Sequence, residues 1–228
     1  MDNIYNSIFL TAQYIKQKHP DIKKAYVIGE DPLREEIQNL GIEINDKSHD
    51  ETYMKFSHLN SEEIYEHGSK EVANMEVKYD AVIQGFERRI NFYKLNFASL
   101  LVQNGAKWIA TNGDMGRTTK NGMVEVANGN YIECIKTVSG KKPVVVGKPN
   151  GFCWELMHEI GGQDKGRVLM VGDNVETDME FAGMAGLDSL LVMTGVTTME
   201  SLDRNLMDLQ GNLVESRIPK YIAEDLRL

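Results

Sequence analysis

Three side chains in the last third of this chain could share one piece of chemistry: the ammonium of Lys148 and the carboxylates of Asp173 and Asp178. Pro143-Val-Val-Val146 leads into Gly147-Lys148-Pro149, and Val168 to Val171 delivers Gly172-Asp173, with Asp178 five residues later. Apolar runs this short and β-branched read as buried parallel strands, and ligands gather at the carboxyl ends of such strands. Two carboxylates there suit Mg²⁺, a hard cation that takes oxygen ligands and keeps several waters. A lysine added to them suggests a phosphate site, because phosphoryl transfer needs mainly positioning and charge neutralisation. Blander readings stand beside this one: aspartates that merely cap the next helix, and Lys148 as an exposed turn lysine. The position of Lys148 between Gly147 and Pro149, at a strand end, favours the functional reading.

The elements that must hold these groups alternate along the chain. A helix is expected from Asn3 to Lys18, stopped by His19-Pro20. A strand over Lys24–Gly29 follows, then a helix from Pro32 to Leu40 ended by Gly41, and a short strand Ile42–Ile44. Between Asn45 and Lys78 the periodicity weakens, and His49, His58 and His67 lack any fixed ligand spacing, so they read as solvated rather than metal-binding. Further strands are expected at Ala81–Ile83, Lys107–Ala110, Pro143–Val146, Val168–Val171, Ser189–Met193 and a short Tyr221–Ala223 segment. Helices are expected at Phe92–Asn104, Asn130–Ser139, Gly151–Ile160, Thr177–Ala185 and Thr198–Leu209, with Thr111 to Asn121 a loop. This alternation implies βαβ units and a parallel sheet, an α/β fold.

The composition excludes several classes. A formal net charge of −9 leaves no basic stripe to neutralise nucleic-acid phosphates. No apolar run approaches the ~18 residues of a membrane span, and Met1-Asp-Asn-Ile-Tyr5 lacks the regions of a signal peptide. Cys134 and Cys153 have no metal-like spacing, which fits buried thiols in a reducing cytoplasm.

Several segments together resemble a known family. Val145-Val-Gly-Lys-Pro149, Leu169-Met-Val-Gly-Asp-Asn-Val-Glu-Thr-Asp-Met179 and Leu191-Val-Met-Thr-Gly-Val-Thr-Thr198 resemble later motifs of haloacid-dehalogenase (HAD) superfamily phosphatases. The most similar branch holds 4-nitrophenylphosphatases, phosphoglycolate phosphatases and pyridoxal-phosphate phosphatases. Ala25–Glu30, Leu33–Glu36, Asp80–Phe86 and Ile109–Asp114 resemble the large α/β cap of that branch. The resemblance implies a partial Rossmann-like core with a parallel sheet plus that cap. Residues 1–23 would be a core remnant leading into the cap, 24–133 the cap, and 134–228 the C-terminal part of the core. It also implies roles. Lys148 would bridge the substrate phosphate and a nucleophilic carboxylate, Asp173 would ligate Mg²⁺, and Asp178 would support the metal through its water shell. Asn112, Asp114 and Arg117 would form the cap loop that selects the leaving group, with Arg117 able to hold a second anion bidentately. The substrate would be a small phosphorylated metabolite, and a homodimer through the cap would be family-like, although nothing in the sequence establishes it.

The chain departs from the family at one important point. The family reaction passes through an aspartyl phosphate, formed on an Asp-x-Asp-Gly segment near the amino terminus. No such segment occurs here, since Asp2-Asn3-Ile4 is not followed by Asp-Gly. The expectation is a chain that lacks its first segment and is inactive as it stands. The strand at Val168–Val171 would then present an unpaired apolar edge. A smaller departure is Val126-Ala-Asn-Gly129, which keeps only the last half of a Pro-Gly-Thr/Asn-Gly segment. The competing reading is a non-catalytic protein that binds a phosphate ligand or regulates; retention of Lys148, Asp173 and Asp178 argues mildly against it.

Overall fold

The computed structural model of the chain describes residues 4–46, 62, 78–119, 121 and 123–227, and divides into compact units Met1–Val146 and Gly147–Leu228. His49, His58 and His67 lie outside the described residues.

The first unit is built on a parallel sheet. Its strands are β1 (Lys24–Ile28), β2 (Glu43–Ile44), β3 (Ala81–Gln84), β4 (Lys107–Ala110) and β7 (Val144–Val145), in the spatial order β2-β1-β3-β4-β7. The register aligns Tyr26, Val82 and Trp108 in one row and Ile28, Gln84 and Ala110 in another. That face packs with helices α3 (Phe92–Gln103) and α4 (Asn128–Ser139) into a core containing Tyr26, Tyr79, Tyr93, Phe97, Trp108, Ile132 and Ile135. Side chains of this size each contribute about 1.5–3 kcal/mol on full burial. Helices α1 (Ser7–Lys18) and α2 (Asp31–Asn39) contribute the buried Leu10, Ile15, Leu33 and Ile37.

Local chemistry explains the boundaries. Asn6 and Asn91 cap α1 and α3 by accepting from Phe9 N and Lys94 N. Gly140, at φ 68°, ends α4 in the left-handed conformation that glycine adopts without strain. Asp80 fixes the entry to β1, its carboxylate accepting from Lys23 N at 2.8 Å and Lys24 N at 2.9 Å. A hairpin of β5 (Gly116–Thr118) and β6 (Val124–Val126) replaces part of the loop expected over Thr111–Asn121. Three-residue strands among Gly and Thr carry no legible alternation. The compact unit continues past the expected cap boundary at 133 to Val146, because β7 pairs with β4 through Ile109↔Val144 and Ala110↔Val145.

The second unit is smaller. It contains α5 (Phe152–Gly161), β8 (Leu169–Gly172), α6 (Glu180–Ala185), β9 (Asp188–Val192), α7 (Met199–Asn205) and β10 (Tyr221–Ala223). The three strands are parallel in the order β10-β9-β8. Val175, Met179 and Leu191 form its fully buried cluster, with Met193, Leu202 and Leu206 packed against them.

Two general expectations need correction, although the first departs in the direction that the missing segment implied. The strand at Val168–Val171 is not a buried strand but an apolar edge: Leu169 is 46% and Val171 39% exposed. Among the described residues β8 pairs with β9 alone, so one side of it is open. Cys134 is exposed, and only Cys153 is a buried thiol. Cys134 lies on α4, on the side away from the core-facing Ile132 and Ile135.

Candidate active site

The site in the second unit forms where β8 ends. After Gly172 and Asp173 the chain makes one wide helical turn, Val175–Met179, in which Met179 N reaches back five residues to Asn174 O at 3.3 Å. Single turns of this width concentrate at functional sites. The turn brings Asp178 back against the strand end. There its Oδ2 accepts from Asp173 N and Asn174 N, each at 3.1 Å, and its Oδ1 accepts from Lys148 Nζ at 2.6 Å. The Asp178 side chain is only 6% exposed, whereas that of Lys148 is 45% exposed. The inner member of the pair is held by three donors while the lysine keeps a face toward solvent.

Two glycines make room for the carboxylates. A Cβ on Gly172 would overlap Asp178 Oδ2, and a Cβ on Gly195 would overlap Asp173 Oδ2. The loop after β9 completes the support. Val196 N donates to Asp173 Oδ2 at 2.8 Å, Thr197 N donates to Asp173 O at 2.8 Å, and the buried Thr197 Oγ1 accepts from Val175 N at 3.1 Å. Sequence reasoning placed Gly195, Val196 and Thr197 in a family-like segment but gave them no role; the available signal was a glycine in the loop that follows the neighbour of the Asp173 strand. Asp173 Oδ1 accepts no hydrogen bond among the described residues, which leaves one carboxylate oxygen of the site uncommitted.

This donor set suits a particular cation. Among the described residues no group of three or more His, Cys, Asp or Glu is placed to hold a metal ion. A dedicated all-protein cage is therefore absent from them. Mg²⁺ asks for less: one or two carboxylates, with waters and substrate phosphate filling the remaining positions. Asp173 Oδ1 fits a direct ligand. Asp178, with both oxygens occupied, fits a supporting role.

Lys148 follows β7 and precedes Pro149, with a cis peptide bond between them. Asn150 N donates to Gly147 O at 3.2 Å, and Asn150 Oδ1 accepts from Phe152 N at 3.0 Å, tightening the turn into α5. Nearby, burial pushes the Cys153 thiol up to about 11, with the positive charge of Lys148 acting the other way.

The remaining sequence candidates lie in the first unit, after β4. Thr111 Oγ1 donates to Asn112 Oδ1 at 2.8 Å, and Asn112 Nδ2 donates to Asp114 Oδ2 at 2.6 Å. Asn112 is half-buried and Asp114 exposed. Arg117 lies in β5, its backbone in register with Glu125. The six candidates thus fall into two groups: Asn112, Asp114 and Arg117 in one compact unit, and Lys148, Asp173 and Asp178 in the other.

Residues 145–227 match the sequence profile of a hydrolase-like family described as HAD-hydrolase-like. The chain is 34% identical over 217 residues to phosphoglycolate phosphatase 2 of Arabidopsis thaliana, covering 94% of this chain and 67% of that protein. It is 31% identical over 201 residues to the 5'-nucleotidase YutF of Bacillus subtilis, covering 88% of this chain and 66% of that protein. In three dimensions it matches a glycerol phosphate phosphatase of Mycobacterium tuberculosis, solved in complex with magnesium, at a TM-score of 0.71 and 26% identity. That match covers 96% of this chain and 55% of the other. The chain therefore spans about two thirds of the two curated relatives and about half of the structural one.

Proposed function

The chain belongs to the HAD hydrolase family, in the branch that holds the phosphoglycolate phosphatases, and from that membership we propose that it serves Mg²⁺-dependent hydrolysis of small phosphate monoesters. The observation that carries the proposal is the convergence of Lys148, Asp173 and Asp178 at the end of β8, with Lys148 Nζ 2.6 Å from Asp178 Oδ1. Lys148 would neutralise phosphate charge and Asp173 would offer Oδ1 to the cation. Asp178 would fix the lysine and, through Asp173 N and Asn174 N, the strand end that presents Asp173. Bound Mg²⁺ would neutralise phosphate charge and orient the transferring group.

The reaction would pass through an aspartyl phosphate, with the nucleophilic carboxylate on a strand laid along the open side of β8. That side, unpaired among the described residues, offers backbone groups and half-exposed Leu169 and Val171 for such a strand to cover. A substrate of the size of 2-phosphoglycolate or an aryl phosphate would be selected by the loop holding Asn112 and Asp114, together with Arg117. A cytoplasmic setting accords with two free cysteines. A homodimer through the cap would cover the exposed Met123, Val124 and Val126 of the β5–β6 hairpin region.

The test extends the chain at its amino end with a strand carrying Asp-x-Asp-Gly and assays 4-nitrophenyl phosphate with and without Mg²⁺. Mg²⁺-dependent release of 4-nitrophenol is expected. A well-folded extended protein that binds phosphate without turning over would support the binding-only reading instead.

A further inference from the structure

A chain of buried polar contacts in the first unit ends on the backbone of the Asn112–Asp114 loop. It begins at Trp108, whose Nε1 donates to Gln84 Oε1 at 2.9 Å. Gln84 Nε2 donates to Asn128 Oδ1 at 3.3 Å, and Asn128 Nδ2 donates to Asn112 O at 2.7 Å. Gln84 and Asn128 are both 0% exposed, and Trp108 is 6% exposed. A glutamine at the end of an otherwise apolar strand is a costly core residue unless every polar atom has a use. Here its oxygen accepts from the Trp108 indole and its nitrogen donates toward the loop through Asn128, so both polar atoms have a use.

The start of α4 grips the same loop through its backbone. This helix has no side-chain cap. Its first amides instead use loop carbonyls: Gly129 N donates to Asp114 O at 2.8 Å, and Ala127 N donates to Met115 O at 3.3 Å. Asn130 Nδ2 donates to Met115 O as well. The approach is too close for any side chain at 129. A Cβ there would overlap Gly113 O and lie 2.8 Å from Asp114 O and 2.7 Å from Met115 Sδ. The loop therefore serves as the helix cap, and the helix start serves as the loop's anchor.

We propose that Gln84, Asn128 and Gly129 are positioning residues that hold the Asn112–Asp114 loop in one conformation, and that this fixed conformation sets discrimination among phosphate esters. The proposal rests on the reading of that loop as the part of the site that meets the leaving group. Their role is indirect: Asn128 and Gly129 act on the loop backbone, and Gln84 acts through Asn128. With the loop fixed, Asn112 and Asp114 present their linked side chains without reorganising at the moment of binding. Released, the loop still carries the same groups but no longer in one place, and misplacement by about 1 Å is enough to lower a rate about 100-fold.

The experiment uses the 228-residue chain with Mg²⁺ and two probes, inorganic phosphate and 2-phosphoglycolate, titrated calorimetrically against wild type, Asn128→Ala and Gly129→Ala. Amide hydrogen exchange on the same samples supplies the second readout. In both variants the affinity ratio between the two probes should fall about tenfold or more toward unity while phosphate affinity itself holds. In Asn128→Ala the amides of Ala127 and Gly129 should exchange faster, while that of Val27, held by Asn45 Oδ1 at 2.7 Å, keeps its protection. Faster local exchange with an unchanged ratio would overturn the link to discrimination. Unchanged exchange would overturn the anchoring. If Asn128→Ala fails to fold, Gly129→Ala and Gln84→Met decide the same two points. A wild-type chain that binds neither probe defeats the functional reading, and the exchange result then decides the anchoring alone.

Discussion

At the scale of single residues, the space around the carboxylates is as specific as the carboxylates themselves. Gly172→Ala must displace Asp178, whose Oδ2 occupies the place of the new methyl group. The substitution is expected to lower stability by about 1–3 kcal/mol through overpacking, and to abolish Mg²⁺-dependent phosphate binding. Urea unfolding and calorimetry check the two effects separately; a variant with wild-type phosphate affinity would show that Asp178 has no part in the site. Cys153 gives a contrasting expectation. Its thiol is buried and pushed up to about 11, so at pH 8 it should resist iodoacetamide while the exposed Cys134 reacts. Peptide mapping after alkylation reads both sites at once. That Lys148, Asp173 and Asp178 come together was legible from two polar groups placed at the ends of neighbouring apolar runs, Lys148 and Asp173, and a second carboxylate five residues further on. The glycine at 195 was not, since what it avoids is a side chain 22 positions earlier in the chain.

Elements show where sequence reading holds and where it fails. Strand β3, with four buried residues, has the short continuous apolar signature of a strand covered on both faces. β8 has the same signature and half-exposed side chains, because burial depends on neighbours that a local pattern does not encode. An open, apolar, parallel edge should self-associate, and Val171→Lys is expected to suppress concentration-dependent light scattering. Equal scattering from both proteins would mean that the edge is not the sticky surface. The amino-terminal ends of β1 and β3 carry an expectation about pH. Asp80 accepts hydrogen bonds from Lys23 N and Lys24 N, which hold its carboxyl below the usual range. A group depressed in the folded state binds its proton more readily when unfolded. Its contribution is therefore present above the ordinary carboxylate pKa of about 3.9 and is lost as the pH falls through the lower folded value. Asp80→Asn should flatten the acid limb of the first unit's stability profile; an unchanged profile would assign acid lability to other carboxylates.

For the whole molecule, the division into two compact units has a thermodynamic consequence. Each has its own buried cluster, one around Tyr26, Phe97 and Trp108, the other around Val175, Met179 and Leu191. Separate cores license separate unfolding transitions. The smaller cluster and the open β8 place the second unit at the lower temperature. Lys148, Asp173 and Asp178 all lie in that unit, so Mg²⁺ with inorganic phosphate should raise its transition alone. Linkage sets the size of the effect: ligand at 100 times its dissociation constant adds about 2.7 kcal/mol to whichever unit binds it. Scanning calorimetry of the 228-residue chain, with and without Mg²⁺ and phosphate, reads this directly. Asp173→Asn should leave the first unit's transition where it was and remove the ligand-induced shift in the second. A ligand shift confined to the first unit would place the phosphate site away from β8, whatever the distances among these three side chains.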